Sequence, residues 1–123
     1  MQYNKSLNQI VSEAHEMARD KGFYEDIDTL RGYLVGQDQP ALSRIAKRDF
    51  VLGQLSKIAS EVGETVQAIQ RKDFYSEDVE EELADVVIRV CDLAGYLEIN
   101  LGRRVEKKMQ LNAMRPRKHG KIC

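Results

Sequence analysis

Apolar residues recur at three- and four-residue intervals along almost the whole chain, and alternation with period two is nearly absent. Such spacing lines aliphatic side chains along one side of a helix, and a chain without alternation offers no half-buried strand. The pattern predicts an all-α protein. A first helix is expected from about Tyr3 to Lys21, with Leu7, Ile10, Val11, Ala14, Met17 and Ala18 on one stripe. Gly22 follows, where a left-handed residue would close it. The stretch FYEDIDTLRGYLVGQDQP, with two glycines and a closing proline, reads as a loop with room for a short helix. Asp38 and Pro40 suit the start of a second helix, expected from about Ala41 to Lys72 with room for a bend near Gly53. Its core stripe reads Val51, Leu52, Leu55, Ile58, Ala59, Val62, Val66 and Ile69. After the turn RKDFYSED, Ser76 caps a third helix carrying Val79, Leu83, Val86, Val87, Val90, Leu93, Ala94 and Leu97. Acids crowd its first turn, where the helix dipole favours them. A fourth helix, about Arg103 to Met114, stops before Pro116. Elements of this kind pack as an antiparallel bundle of about four helices in a single domain spanning residues 1–123.

Charge is segregated along this frame. Between Glu61 and Glu98 eleven acids face three basic residues, a balance of −8. From Leu101 onward eight Lys or Arg face one Glu, a balance of +7. A basic tail can neutralise an acidic neighbour, touch nucleic acid, or hold phosphates beside a cation held by the acids. The apolar runs are too short for a membrane-spanning helix, and MQYNKSLNQI lacks the plan of a signal peptide, so a cytoplasmic protein is expected. Cys91 and Cys123 form neither a disulfide framework nor a zinc spacing, and Cys91 reads as a small core residue.

Two acid pairs stand out, Glu61 with Glu64 and Glu82 with Asp85. Glu61 and Glu82 fall at the edges of the apolar stripes, Asp85 and Arg89 lie further round the third helix, and Glu64 is nearly opposite its stripe. Periodicity alone permits solvated surface acids, the ordinary state of Glu on a helix. It also permits one site: residues at i and i+3 share a helix face, and a short turn packs the two helices as a hairpin. Four converging carboxylates repel one another unless a cation lies among them, and all-oxygen ligation suits Mg²⁺, with Mn²⁺ as a substitute. A ferritin-type di-iron site needs Glu-x-x-His, and neither His15 nor His119 has a Glu three residues before it.

At these residues the chain resembles the MazG-like all-α nucleoside triphosphate pyrophosphohydrolases. The resemblance rests on Glu61-Val-Gly-Glu64, seventeen intervening residues, and Glu82-Leu-Ala-Asp85. The words SEVGE, EELADVVIRV and DLAGYLEINL carry it further, as do HEMARDKGFYED near the start and KMQLNAMRPRKHGK near the end. Ser60 stands where many relatives have Glu, and residues 26–48 follow no familiar pattern. The resemblance implies Mg²⁺-dependent hydrolysis of a nucleoside or deoxynucleoside triphosphate to monophosphate and pyrophosphate by water that the metal activates. It implies that Glu61, Glu64, Glu82 and Asp85 are the metal ligands; on chemical grounds a carboxylate that the metal leaves free, Glu64 or Glu61, is expected to take the water's proton. Relatives grip the triphosphate with a Lys and an Arg near the C-terminus. Here Lys108, Asn112 and Arg115 make one stripe of the last helix, which is otherwise an exposed basic face. Lys57 shares a side with Glu61 and Glu64 and either reaches a phosphate or balances charge. Phe23, Tyr24 and Tyr33 are candidates to stack a base or to anchor a loop. His15 reads as structural, and Arg89 as a partner for Asp85 one turn away.

Relatives complete a four-helix core by pairing two chains, so the resemblance implies a homodimer whose second copy walls the site. Two other functions fit the same chain: a nucleotide-binding or regulatory bundle without turnover, and a helical nucleic-acid binder using the basic tail. The second gains nothing from four clustered carboxylates.

Overall fold

A computed structural model describes residues 4–71 and 74–117. These residues form five helices and no strand: α1 (Leu7–Asp20), α2 (Glu25–Gly36), α3 (Pro40–Arg71), α4 (Glu77–Tyr96) and α5 (Leu101–Ala113). No helix among them is long and apolar enough to cross a membrane. Lys72 and Asp73 of the expected turn RKDFYSED lie outside the described residues, as do Tyr3 and the end of the basic tail from Lys118 on.

The helix ends follow from local chemistry. Ser6 opens α1 with a reciprocal cap: its Oγ accepts from the Gln9 amide at 3.2 Å, and the Gln9 side chain accepts from the Ser6 amide at 2.7 Å. Gly22, at φ +84°, turns the chain out of α1 while Phe23 N–H donates back to the Ala18 carbonyl. Ser76 caps α4 through the Val79 amide, as expected. Asn100 caps α5 through the Arg103 amide, and α5 starts two residues earlier than its sequence suggested.

Two expectations are corrected here. The segment read as a loop with room for a short helix is mostly helix: α2 takes three turns of it. Gly32 and Gly36 blur its signal, and only Ile27 on it is buried, so it has almost no apolar stripe to announce it. Acids Glu25, Asp26 and Asp28 in its first turn favour it through the helix dipole. Packing against the first half of α3 supplies the rest, including a hydrogen bond from Arg31 Nε to the buried Ser43 hydroxyl. Helix α3 itself runs unbroken through Gly53 for 32 residues, about 48 Å.

The second correction concerns which face of α3 is inside. The structure buries Ser43 and Thr65, and Ala46, Phe50, Val51 and Ile58 pack against the core. Leu52, Leu55, Val62 and Val66 of the expected stripe are about half exposed, and so are Leu83, Val87 and Ile88 on α4. A single chain therefore leaves an apolar surface along the α3–α4 pair.

The core sits where α4 is flanked by α1 and α3. One cluster joins Ala18, Tyr24, Ile27, Leu93 and Tyr96; the other joins Val11, Cys91 and Ala94. Cys91 is 1% exposed, the small core residue expected. Tyr24 stacks on Tyr96 with ring centroids 4.8 Å apart, and Phe50 closes on both. Helix α5 makes its main packing contact with α1 alone: Asn8 donates to Asn100 and accepts from the Gly102 amide.

Candidate functional site

The α3–α4 hairpin brings acids from both arms to one place. Glu61 and Glu64 lie one turn apart on α3, and Glu82 lies on the adjacent stretch of α4. One carboxylate oxygen from each lies within 4.8 Å of the others. Thr65 is buried beside them and donates its hydroxyl to the Glu61 carbonyl at 3.0 Å, so its polar atom is satisfied within its own helix.

Glu82 is the most constrained of the three. Its Oε2 is shielded from water and has no hydrogen-bond partner among the described residues. This desolvation pushes its carboxyl above the ordinary range. The like charge of the neighbouring Glu64 pushes it further, with smaller effects from Glu61 and Asp85. A half-buried acid with an unpaired oxygen among like charges is an arrangement that a cation relieves.

Glu61 is held differently. Its side chain is 13% exposed and accepts from Arg89 Nε at 2.7 Å. The expected Asp85–Arg89 pairing is thereby corrected: Arg89 reaches across to α3 instead. Asp85 itself is exposed and does not join the trio of oxygens. It lines a neighbouring cavity of about 360 Å³ together with Glu61, Arg89, Asp92, Gln54 and Phe23. Three of the four expected ligands thus converge, and the fourth stands at the cavity wall one turn along α4.

Tyr24 and Asp92, which also line that cavity, belong to a hydrogen-bonded group that periodicity did not reveal. Asp92 Oδ1 accepts from the Tyr24 hydroxyl at 2.8 Å and lies 2.9 Å from His15 Nδ1. Arg19 Nε donates to His15 Nε2 at 2.9 Å, and Arg19 Nη1 to Asp28 at 2.8 Å. Because guanidinium can only donate, Nε2 is the acceptor and the His15 proton sits on Nδ1, facing Asp92. Burial, with help from Asp92, raises the Tyr24 hydroxyl well above its ordinary range, so it stays a neutral donor. The signal in the sequence was slight: His15 and Arg19 at i and i+4, with Asp92 far along the chain.

The remaining candidates separate. Phe23 is 67% exposed and lines the cavity. Tyr24 does not offer a face to a base: it is 2% exposed, with Tyr96 stacked on it, His15 edge-on and Arg19 beside the ring. Of its two expected roles, base stacking and packed anchor, the structure gives it the packed one and removes the stacking one. Tyr33 is exposed on α2 and does not line the cavity. Lys57 is exposed on α3 and does not line it either. Lys108 and Arg115 are exposed, and Asn112 is half-buried with Oδ1 shielded and unpartnered among the described residues. These three ride on or just beyond α5, and none of them lines the cavity beside the acids.

Residues 52–115, more than half of the chain, match the family model described as MazG nucleotide pyrophosphohydrolase domain. The match covers the second half of α3, all of α4 and all of α5. No curated protein and no solved structure matches the chain.

Proposed function

Since the chain belongs to the MazG nucleotide pyrophosphohydrolase family, we propose that it hydrolyses a nucleoside or deoxynucleoside triphosphate to the monophosphate and pyrophosphate with Mg²⁺, or Mn²⁺ in its place. The observation that carries this reading is the unpartnered Oε2 of Glu82 within a trio whose oxygens lie within 4.8 Å of one another. Oxygen-only donors of this kind fit a hard divalent cation, so the residues present suit the group. Glu61, Glu64 and Glu82 would hold it, with Asp85 on the cavity wall as the fourth ligand. When bound, the cation neutralises phosphate charge and makes a water acidic enough to attack at neutral pH.

The chain's own residues do the rest. Glu64 is the exposed member of the trio and takes the proton of the attacking water, with Glu61 as the other candidate base. The α–β phosphoanhydride breaks, and the bridging oxygen leaves with pyrophosphate. Lys57, Lys108, Asn112 and Arg115 supply donors to phosphate oxygens. None of the four lines this cavity in one chain: Lys57 must reach toward it from one turn before Glu61, and the residues on and beyond α5 must come from a second copy of the chain or after α5 shifts. Phe23 stacks on the base at the cavity mouth. The half-exposed apolar surface on α3 and α4 supports a homodimer built on that face, with twofold symmetry as the default.

Pyrophosphate release from a panel of ribo- and deoxynucleoside triphosphates, with and without Mg²⁺, tests the reading. Release that depends on metal and is lost in Glu64→Gln is the expected outcome. Tight nucleotide binding without turnover in any member of the panel would instead assign the chain to regulation.

A further inference from the structure

Arg89 is tied to the acid trio by a single nitrogen. Its Nε donates to Glu61 Oε1 at 2.7 Å, while the guanidinium carries four further N–H bonds on its terminal nitrogens. Among the described residues those nitrogens meet no acceptor. The side chain is 45% exposed, and Arg89 lines the cavity shared with Asp85, Asp92, Gln54 and Phe23. A fixed positive charge therefore sits on a carboxylate that the proposed metal also requires. Arg89 is four residues beyond Asp85, about 6 Å along α4, so a cation among the acids and a phosphate chain in the cavity both fall within its reach.

Charge balance makes the pairing conditional. Without a cation, Glu61 is 13% exposed beside two further carboxylates, and a guanidinium on it offsets the repulsion. With a divalent cation on the same carboxylate, the positive guanidinium faces a positive ion and gains from turning away. An anion in the cavity is the partner that a forked guanidinium fits best.

We propose that Arg89 is a two-position residue: the counter-ion of Glu61 when no metal is bound, and a phosphate-binding residue for the nucleotide once a cation occupies the acids. This rests on the metal reading given above. It makes cation and nucleotide binding mutually supporting, because the ion frees the residue that grips the phosphates.

The test uses two binding measurements on the full chain, neither of which needs turnover. Mn²⁺ uptake without nucleotide is followed by loss of the free-ion EPR signal. Inorganic tripolyphosphate binding in the presence of Mg²⁺ is followed by calorimetry. For Arg89→Gln, Mn²⁺ affinity rises by roughly tenfold, the order expected from removing one unit charge a few ångströms from the ion. Tripolyphosphate affinity falls by about the same factor or more, through loss of a charged fork. Arg89→Lys keeps the charge without the fork, so it leaves Mn²⁺ affinity near that of the parent and recovers only part of the tripolyphosphate affinity. Circular dichroism melts confirm that both variants fold.

Opposite signs for the two affinities in Arg89→Gln are the required result. Weaker binding of both would make Arg89 a permanent support for Glu61 and overturn the proposal. Tighter Mn²⁺ with unchanged tripolyphosphate, or no change in either, overturns it as well. A parent protein that takes up no Mn²⁺ overturns the metal reading together with this one, whereas Mn²⁺ uptake with the wrong signs overturns the Arg89 proposal alone.

Discussion

At Gly95 the backbone of α4 passes directly over His15 of α1. A Cβ built there would stand 2.5 Å from His15 Cβ and 2.9 Å from Cγ, closer than real atoms approach. Gly95→Ala must push the two helices apart or turn His15 away from Asp92, and either route disturbs the hydrogen-bonded group around Asp92. The expected cost is about 1–3 kcal/mol, read as a lower thermal midpoint. A variant as stable as the parent would show that α1 and α4 pack less rigidly than this contact implies. Glu82 gives a second prediction at this scale. Its carboxyl is raised in the fold from an ordinary value of 4.5, so the folded chain holds that proton more tightly than the unfolded chain. The contribution is present at low pH and is lost as pH rises through the raised value. Glu82→Gln stays neutral throughout and avoids that loss. In chelator, the variant's melting midpoint should therefore gain on the parent's as pH rises from about 4.5 toward neutrality. A constant gap across that window would mean that Glu82 ionises normally. Glu64→Gln, by contrast, removes the proposed base: turnover is lost and the fold kept, and near-parent pyrophosphate release would remove Glu64 from that role.

The elements differ in how much of their own formation they encode. Helix α1 carries its stripe, a reciprocal cap and a left-handed glycine, and it forms within one residue of its expected C-terminal end. Helix α4 carries a serine cap and an acidic first turn. Helix α2 has no side-chain cap and two glycines, and it depends on α3 for support. A Cβ at Gly32 would meet nothing within 4 Å. Gly32→Ala should thus stabilise the protein by roughly 0.5–1 kcal/mol, by reducing the backbone entropy lost on folding. The readout is a rise of a few degrees in the melting midpoint. A fall would indicate that the exposed side of α2 is covered by something outside one chain. Helix α5 rests on α1 through Asn8, Asn100 and Gly102 and carries its basic residues outward.

Across the whole molecule, the apolar side of α3 and α4 is a surface that a single chain does not cover. Leu55, Val62 and Val66 on one helix and Leu83 and Val87 on the other are about half exposed in the single chain. A second copy laid against that face would bury them, and a stable obligate pairing is expected to remove more than about 2,000 Å² in total from water. Sedimentation at micromolar concentration should then report twice the 14.1 kDa chain mass. The double variant Leu55→Glu, Val66→Glu should sediment as a monomer, because four like charges would meet across a twofold axis. A parent chain that sediments at 14.1 kDa and still releases pyrophosphate removes the dimer from the proposed function.

Several features of the chain were fixed locally and so could be read from its order of residues. Cap chemistry at Ser76, the left-handed turn at Gly22, the helical period and the i, i+3 spacing of the acids all act within a few residues, whereas the Ser6 cap, which starts α1 at Leu7 rather than near Tyr3, was passed over. The tertiary structure decided what depends on a neighbour. Period alone gives the direction in which a helix is apolar; whether that side is inside depends on what covers it. Thus Ser43 and Thr65 of α3 are buried while Leu52 and Leu55 are half exposed. Tyr24, which reads as a loop aromatic, is drawn inward because Tyr96 and Phe50 offer it a stack and Asp92 satisfies its hydroxyl. Arg89 has an acid one turn away on its own helix, yet it pairs with Glu61, whose desolvated carboxylate gains more from a counter-ion than the exposed Asp85 does.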